Sequence, residues 1–259
     1  MRHKPIIAIT GDSLRHRYFL HQVAPRVHAR TAFVEASRYP APPAANREAR
    51  SAWNWYFERR AAYEARRFGA AARPPGPPAP TFIPLAHGEL NTPATLERIR
   101  DLDPGLIVIF GTSLLKAPML EAFGGRIFNL HLGLSHHYRG SSANFWPIHD
   151  GHPETLGATV HVVNPGIDTG AVLACAPVGL DPGDDEQTLA VKTLILGCRL
   201  MTETVGLWKS GRLRPHPARK VGRLYRMSDF TPEAVLRVRR MVESGELKQL
   251  IEERDARRP

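Results

Sequence analysis

The chain has 259 residues, 42% of them hydrophobic, and sets 35 Lys and Arg against 25 Asp and Glu for a formal net charge of +10. That length supports one large α/β domain with an appendage without staples, and the only cysteines, Cys175 and Cys198, form no Cys-x-x-Cys or His/Cys ligand spacing, which excludes a zinc or disulfide framework. No apolar run approaches the roughly 20 residues of a membrane span and the N-terminal one is too short for a signal peptide, so no membrane partner and a cytoplasmic home are expected.

Residues 5–11, Pro-Ile-Ile-Ala-Ile-Thr-Gly, read as a buried strand ending in a glycine turn, with Asp12 or Ser13 capping a helix that runs to Val27. Arg15-His16-Arg17-Tyr18 on that helix reads either as an anion contact or as solvated surface. Residues 31–36 form a second strand, and the prolines of 40–43 break regular structure. A long arginine-rich helix follows over 44–69, bearing Trp53, Trp55, Tyr56, Phe57 and Tyr63. Aromatics at helical spacing favour packing into the body over stacking against a base.

Residues 73–80 are a proline-rich surface linker, so that about 40–80 forms an insertion. Alternation resumes with a strand at 82–85, a helix over 92–101 and a fully apolar strand at 106–110, of the kind covered on both faces of a parallel sheet. Strands also fall at 125–131 and 157–163, and a long helix over 186–208 starts at Asp184 or Asp185. The fold class is therefore α/β, a Rossmann-like, doubly wound, mostly parallel sheet. A catalytic domain over 1–211 is followed by a helical extension over 212–259, in which Thr231-Pro232-Glu233 starts a helix.

The chemistry lies on two of these segments. Asn129 and His131 are two apart on one strand and share a face, and Asp168 sits within Gly166-Ile167-Asp168-Thr169-Gly170. An amide that donates to a developing oxyanion, an imidazole that titrates near neutrality and a carboxylate that holds it suit acyl transfer to an amine. His136 and His137, with His149 and His152 nearby, lie on polar loops and are expected to bind no metal.

With Tyr138-Arg139-Gly140 and His161 in register between these motifs, the chain from about Leu106 to Leu180 resembles the folate-dependent formyltransferases, the group that includes glycinamide ribonucleotide and methionyl-tRNA formyltransferases. The resemblance implies the catalytic trio Asn129, His131 and Asp168. It also implies a pterin site on Phe110, Gly111, Thr112, Leu114 and Leu115 facing Val163, Gly166 and Ile167, with 10-formyl-tetrahydrofolate as cofactor. Arg139, Gly140 and His161 become substrate contacts, as does Arg15 from the first helix. The family's Pro-Ser-Leu-Leu-Pro after the histidine is replaced here by Leu132-Gly133-Leu134-Ser135-His136, a loop that lines the site.

The implied reaction is direct attack of a primary amine of a small, anionic metabolite on the formyl carbon, through a tetrahedral intermediate. The turn Gly11-Asp12-Ser13 is not glycine-rich, which argues against glycinamide ribonucleotide. The segment after Gly211 is too short and too helical for a β-barrel, which makes tRNA an unlikely acceptor. A hydrolase that releases formate is one rival, disfavoured because the first strand begins at Pro5 with no regulatory domain before it. A nucleotide-linked amino-sugar formyltransferase is a second, and an inactive, basic folate- or nucleic-acid-binding protein is a third. A homodimer is left open.

Overall fold

The computed structural model describes residues 4–37, 43–73, 79–218 and 221–255. Residues 40–42 of the expected break and 74–78 of the expected linker lie outside these. The strands are β1 (Ile6–Gly11), β2 (Ala29–Glu35), β3 (Thr81–Leu85), β4 (Leu106–Phe110), β5 (Ile127–His131), β6 (Tyr138–Gly140), β7 (Gly157–Val162), β8 (Val172–Pro177) and β9 (Arg223–Tyr225). The helices are α1 (Leu14–Val27), α2 (Arg47–Phe68), α3 (Pro93–Asp101), α4 (Ala117–Phe123), α5 (Trp146–His149), α6 (Glu186–Lys209), α7 (Pro232–Glu243) and α8 (Glu246–Asp255).

β1 opens on the apolar run Ile6–Ile9 and β4 is apolar throughout, and both strands are buried along their whole length. Alternate side chains of these strands enter two cores. Ile6, Ala8, Leu106, Val108, Phe128 and Leu130 join the layer that holds α1, α2 and α6, while Ile7, Ile9, Ile107, Ile109 and Ile127 meet Ile99, Met119 and Phe123 of α3 and α4. Covering both faces in this way makes the sheet doubly wound. Its order is β3-β2-β1-β4-β5-β7-β8, and every strand runs parallel except β7, which lies antiparallel between β5 and β8. A mostly parallel α/β sheet is what the sequence predicts.

Helix ends follow local chemistry. Asp185 closes a capping box with Thr188 at the start of α6, and Thr231 accepts from Ala234 N at the start of α7. At α1 the expected cap is absent: Ser13 occupies the N-cap position without a capping bond, and Asp12 instead accepts from Ser37 N at 2.9 Å. The aromatics of α2 pack inward, with Trp53 and Tyr56 buried and the Tyr56 ring 5.7 Å from Phe145 and 5.3 Å from Phe230. Phe145 is also 4.8 Å from Phe230 and is 2% exposed. Phe145→Ala is expected to cost about 3 kcal/mol in urea unfolding, because the rigid rings around it cannot close the cavity.

The chain after Gly211 returns to the main body. His216 bridges Val172, α7 packs on α2 and α5, and α8 packs on the turn at 153–155. β9 pairs in parallel with β6, matching Tyr138, Arg139 and Gly140 with Arg223, Leu224 and Tyr225.

Candidate functional site

Asn129 and His131 emerge on the same face at the carboxyl end of β5. The antiparallel register of β7 sets His161 directly opposite Asn129 and Thr159 opposite His131. Asn129 Nδ2 is 3.1 Å from His161 Nε2, which is 3.2 Å from Asp168 Oδ1. His131 Nδ1 is 3.3 Å from Asp168 Oδ2. One carboxylate therefore joins two imidazoles and, through His161, the amide. The structure brings Asn129, His131 and Asp168 together and adds His161 to the same cluster.

Asp168 is held in place by its surroundings. Gly140 N donates to its Oδ2 at 2.8 Å, and its backbone adopts φ +51, a left-handed conformation that Asp tolerates better than most residues. Burial pushes the Asp168 carboxyl up, but the charge of His131 and the hydrogen bonds from His161 and Gly140 more than offset that. The net value lies well below the usual carboxylate range. Burial lowers His131, against the pull of Asp168 and of the hydrogen bond to Tyr138 O. The two directions describe one state at neutral pH, with Asp168 ionised and His131 neutral, carrying a single ring proton. That proton has a defined place: Nε2 lies 3.0 Å from Tyr138 O, which only accepts, so a second proton on the ring would sit at Nδ1, facing Asp168.

The other expected contacts divide. Arg139 donates from Nε to Gly222 O at 2.7 Å and from Nη1 to Ile167 O at 2.9 Å, tying the Asp168 loop to the segment before β9. Arg15 is paired with Glu64. His16 departs from the solvated-surface reading of residues 15–18, for it is 4% exposed, and burial with the charges of Arg15 and Arg60 pushes it down to about 3. It fills the space between the ends of β1 and β4, where a Cβ on Gly11 or Gly111 would run into its ring. Gly111 also has φ +62, so both its conformation and its neighbour require glycine.

Among the expected pterin residues, Phe110 is buried core, with its ring 5.1 Å from His16. Leu114 is 72% exposed, Thr112, Leu115, Val163 and Ile167 are half-buried, and Gly166 is exposed. Sequence reasoning missed Glu35. This carboxylate, 3% exposed at the end of β2, accepts from Ser113 N, Ser113 Oγ and Gly88 N at 3.0 Å each and fixes the loop that carries Thr112 and Leu114. Nothing in the strand pattern marks it, since the three donors come from remote turns. Glu35→Gln keeps the shape but lacks acceptors for all three donors, and is expected to loosen this loop and accelerate its amide hydrogen exchange.

A doubly wound sheet with an amide, two imidazoles and a carboxylate converging at a strand end is a framework for acyl-group chemistry. The chain belongs to the formyl transferase family, whose sequence model matches residues 61–205. It is 36% identical over 148 residues to the methionyl-tRNA formyltransferase of Trichlorobacter lovleyi, covering 54% of this chain and 46% of that protein. The chain spans less than half the length of this and other curated relatives it matches.

Among solved structures, glycinamide ribonucleotide transformylase 1 from Symbiobacterium toebii matches with a TM-score of 0.56 at 24% identity, over 87% of this chain and 96% of that one. The formyltransferase PseJ from Anoxybacillus kamchatkensis, solved with UDP-4,6-dideoxy-4-formamido-L-AltNAc and tetrahydrofolate, gives 0.53 at 15% identity, over 90% and 97%. These likenesses establish the formyltransferase fold. The expectation against a tRNA acceptor finds no support in the curated relatives, which are methionyl-tRNA formyltransferases. Among the described residues, no helix is long and apolar enough to cross a membrane.

Proposed function

We propose that this protein transfers a formyl group from 10-formyl-tetrahydrofolate to a primary amine of a small, anionic metabolite by direct attack. The observation that carries the reading is the contact cluster of Asn129, His161, Asp168 and His131 at the end of β5. The residues around it suit a folate. Leu114, Leu115 and Val163 leave apolar side chains partly open, and the loops bearing them offer backbone groups, a lining fitted to a flat heterocycle with apolar faces and polar edges.

When bound, the folate supplies an activated formyl carbon. Asn129 Nδ2 has a second N–H besides the one facing His161, and this donates to the formyl oxygen as negative charge grows there. His131, neutral at working pH, takes the proton released by the amine at Nδ1, and Asp168 stabilises the resulting imidazolium. Among the described residues, the hydrogen bonds of the cluster side chains run to backbone groups and to one another, with no hydroxyl or thiol among them, which supports transfer without an acyl-enzyme.

The test is tetrahydrofolate formation from 10-formyl-tetrahydrofolate with and without an amine panel that includes amino acids, nucleotide-linked amino sugars, glycinamide ribonucleotide and methionyl-tRNA. Amine-dependent turnover is expected, reduced about 10²-fold or more by Asn129→Ala. Turnover indifferent to amine would make the protein a hydrolase, and none with any amine would sink the reading.

A further inference from the structure

The strand order turns at β1: β2 and β3 lie to one side of it, β4 and β5 to the other. The crevice between the carboxyl ends of β1 and β4 is therefore where a doubly wound sheet ordinarily takes its ligand, and phosphate groups are common occupants, held by free amides at the start of the first helix. That place borders the reactive cluster. β4 and β5 run in register from Ile107 opposite Ile127 to Ile109 opposite Asn129, so Gly111 and His131, each two residues further on, leave the sheet side by side on strands about 4.8 Å apart.

In this chain the crevice is filled from within. A Cβ on Gly11 would run into His16 Nδ1 and come within 2.8 Å of Ser37 Oγ, and one on Gly111 would run into His16 Nε2, so the imidazole sits against both strand ends at once. Its Nδ1 is 2.9 Å from Ser13 Oγ, the hydroxyl that leaves α1 without a side-chain cap, and its ring meets Phe110 edge-on at 5.1 Å. Burial and the charges of Arg15 and Arg60 keep the ring neutral at working pH, so it offers an anion no positive charge. Asp12 adds the opposite sign. Burial pushes its carboxyl up, but the hydrogen bonds from Ser37 outweigh burial, and it stays ionised next to Gly11. Space and charge at this turn both oppose a phosphate, which is discrimination by clash and by like charge.

Resting on the formyl-transfer reading, we propose that His16 is a specificity-determining residue that, with Asp12, bars phosphate esters from this crevice, so that the acceptor is an amine with no phosphate anchored at β1. The negative charge of the acceptor is then borne by a group outside the crevice. A ribonucleotide held by its phosphate at the first turn is excluded, while an unphosphorylated amine reaches the His131 and Asp168 cluster past the closed end of β1.

Calorimetric titration of the full chain with inorganic phosphate, without folate, tests the plug apart from the chemistry. His16→Ala opens the crevice and is expected to bind phosphate about tenfold or more tighter than the parent, and His16→Ala combined with Asp12→Asn, which keeps an oxygen for Ser37 N, tighter still. His16→Leu refills the space without a polar atom and is expected to bind as weakly as the parent. Equal binding by the parent and the alanine variants, no binding by alanine variants that circular dichroism shows to be folded, or the same gain in His16→Leu would overturn the proposal. If the alanine variants do not fold, the parent decides: tighter binding of glycinamide ribonucleotide than of its dephosphorylated riboside overturns the exclusion, and equal or weaker binding upholds it. Phosphate binding gained by the alanine variants of a protein that formylates no amine would keep the plug and overturn formyl transfer, whereas amine formylation without that gain would do the reverse.

Discussion

Asp168→Asn is expected to lower kcat/KM by about 10³-fold or more while leaving the fold in place. Asparagine tolerates the left-handed backbone at φ +51, and its side-chain oxygen still accepts from Gly140 N, so the loop keeps its anchor. What disappears is the negative charge between His131 Nδ1 and His161 Nε2. The acid limb of the pH profile tests this separately from the rate. Burial lowers His131, so activity that needs its neutral form is lost, as pH falls, only below the ordinary histidine value of about 6.5. Asp168 opposes that lowering, and removing its charge moves the limb to still lower pH. An unmoved limb in the variant would mean that the two groups do not share a proton.

The same carboxylate enters the stability of the protein with a fixed sign. Its folded value is depressed, so it contributes stability that is present above the ordinary carboxylate range and lost as pH falls through and below it. Asp168→Asn should therefore be destabilised relative to the parent at neutral pH and show a flatter loss of stability on acidification.

How far these features can be read from sequence depends on whether their causes are local. The runs of β1 and β4 carry their burial in composition, and Asp185 and Thr231 declare helix starts within four residues. Asn129 and His131 share a face because of strand period alone. His161 joins them through the antiparallel register of β7 against β5, a pairing that no single segment encodes. β6 and β9 are three residues each and exist only because distant segments meet, and β8 alternates Ala and Cys with a weak strand signal. His16 reads as helix surface until Gly11 and Gly111 are seen to make room for its ring. Arg139 shows the limit from the other side: its motif is visible, but its guanidinium is directed to the carbonyls of Ile167 and Gly222, and that choice depends on a segment more than 80 residues away.

Gly140→Val should be the most destabilising single change in this region, by roughly 4 kcal/mol, because it combines two costs of about 1–3 kcal/mol each. Gly140 has φ +83, which a β-branched residue rarely adopts, and a Cβ there would run into Tyr225 O and come within 2.8 Å of Leu224 Cδ1. Relief requires β9 to move off β6, breaking the pairing of Gly140 with Tyr225 and the bond from Ser141 N to Tyr225 O. The same residue donates its N–H to Asp168, so the displacement reaches the carboxylate between the two histidines. Gly179→Ala, where a Cβ meets nothing within 4 Å, serves as the comparison and should stay within about 0.5 kcal/mol of the parent. Urea unfolding of the two variants separates a general intolerance of glycine replacement from the specific coupling, and a Gly140→Val protein with parental stability and activity would show that the segment around β9 does not brace the site.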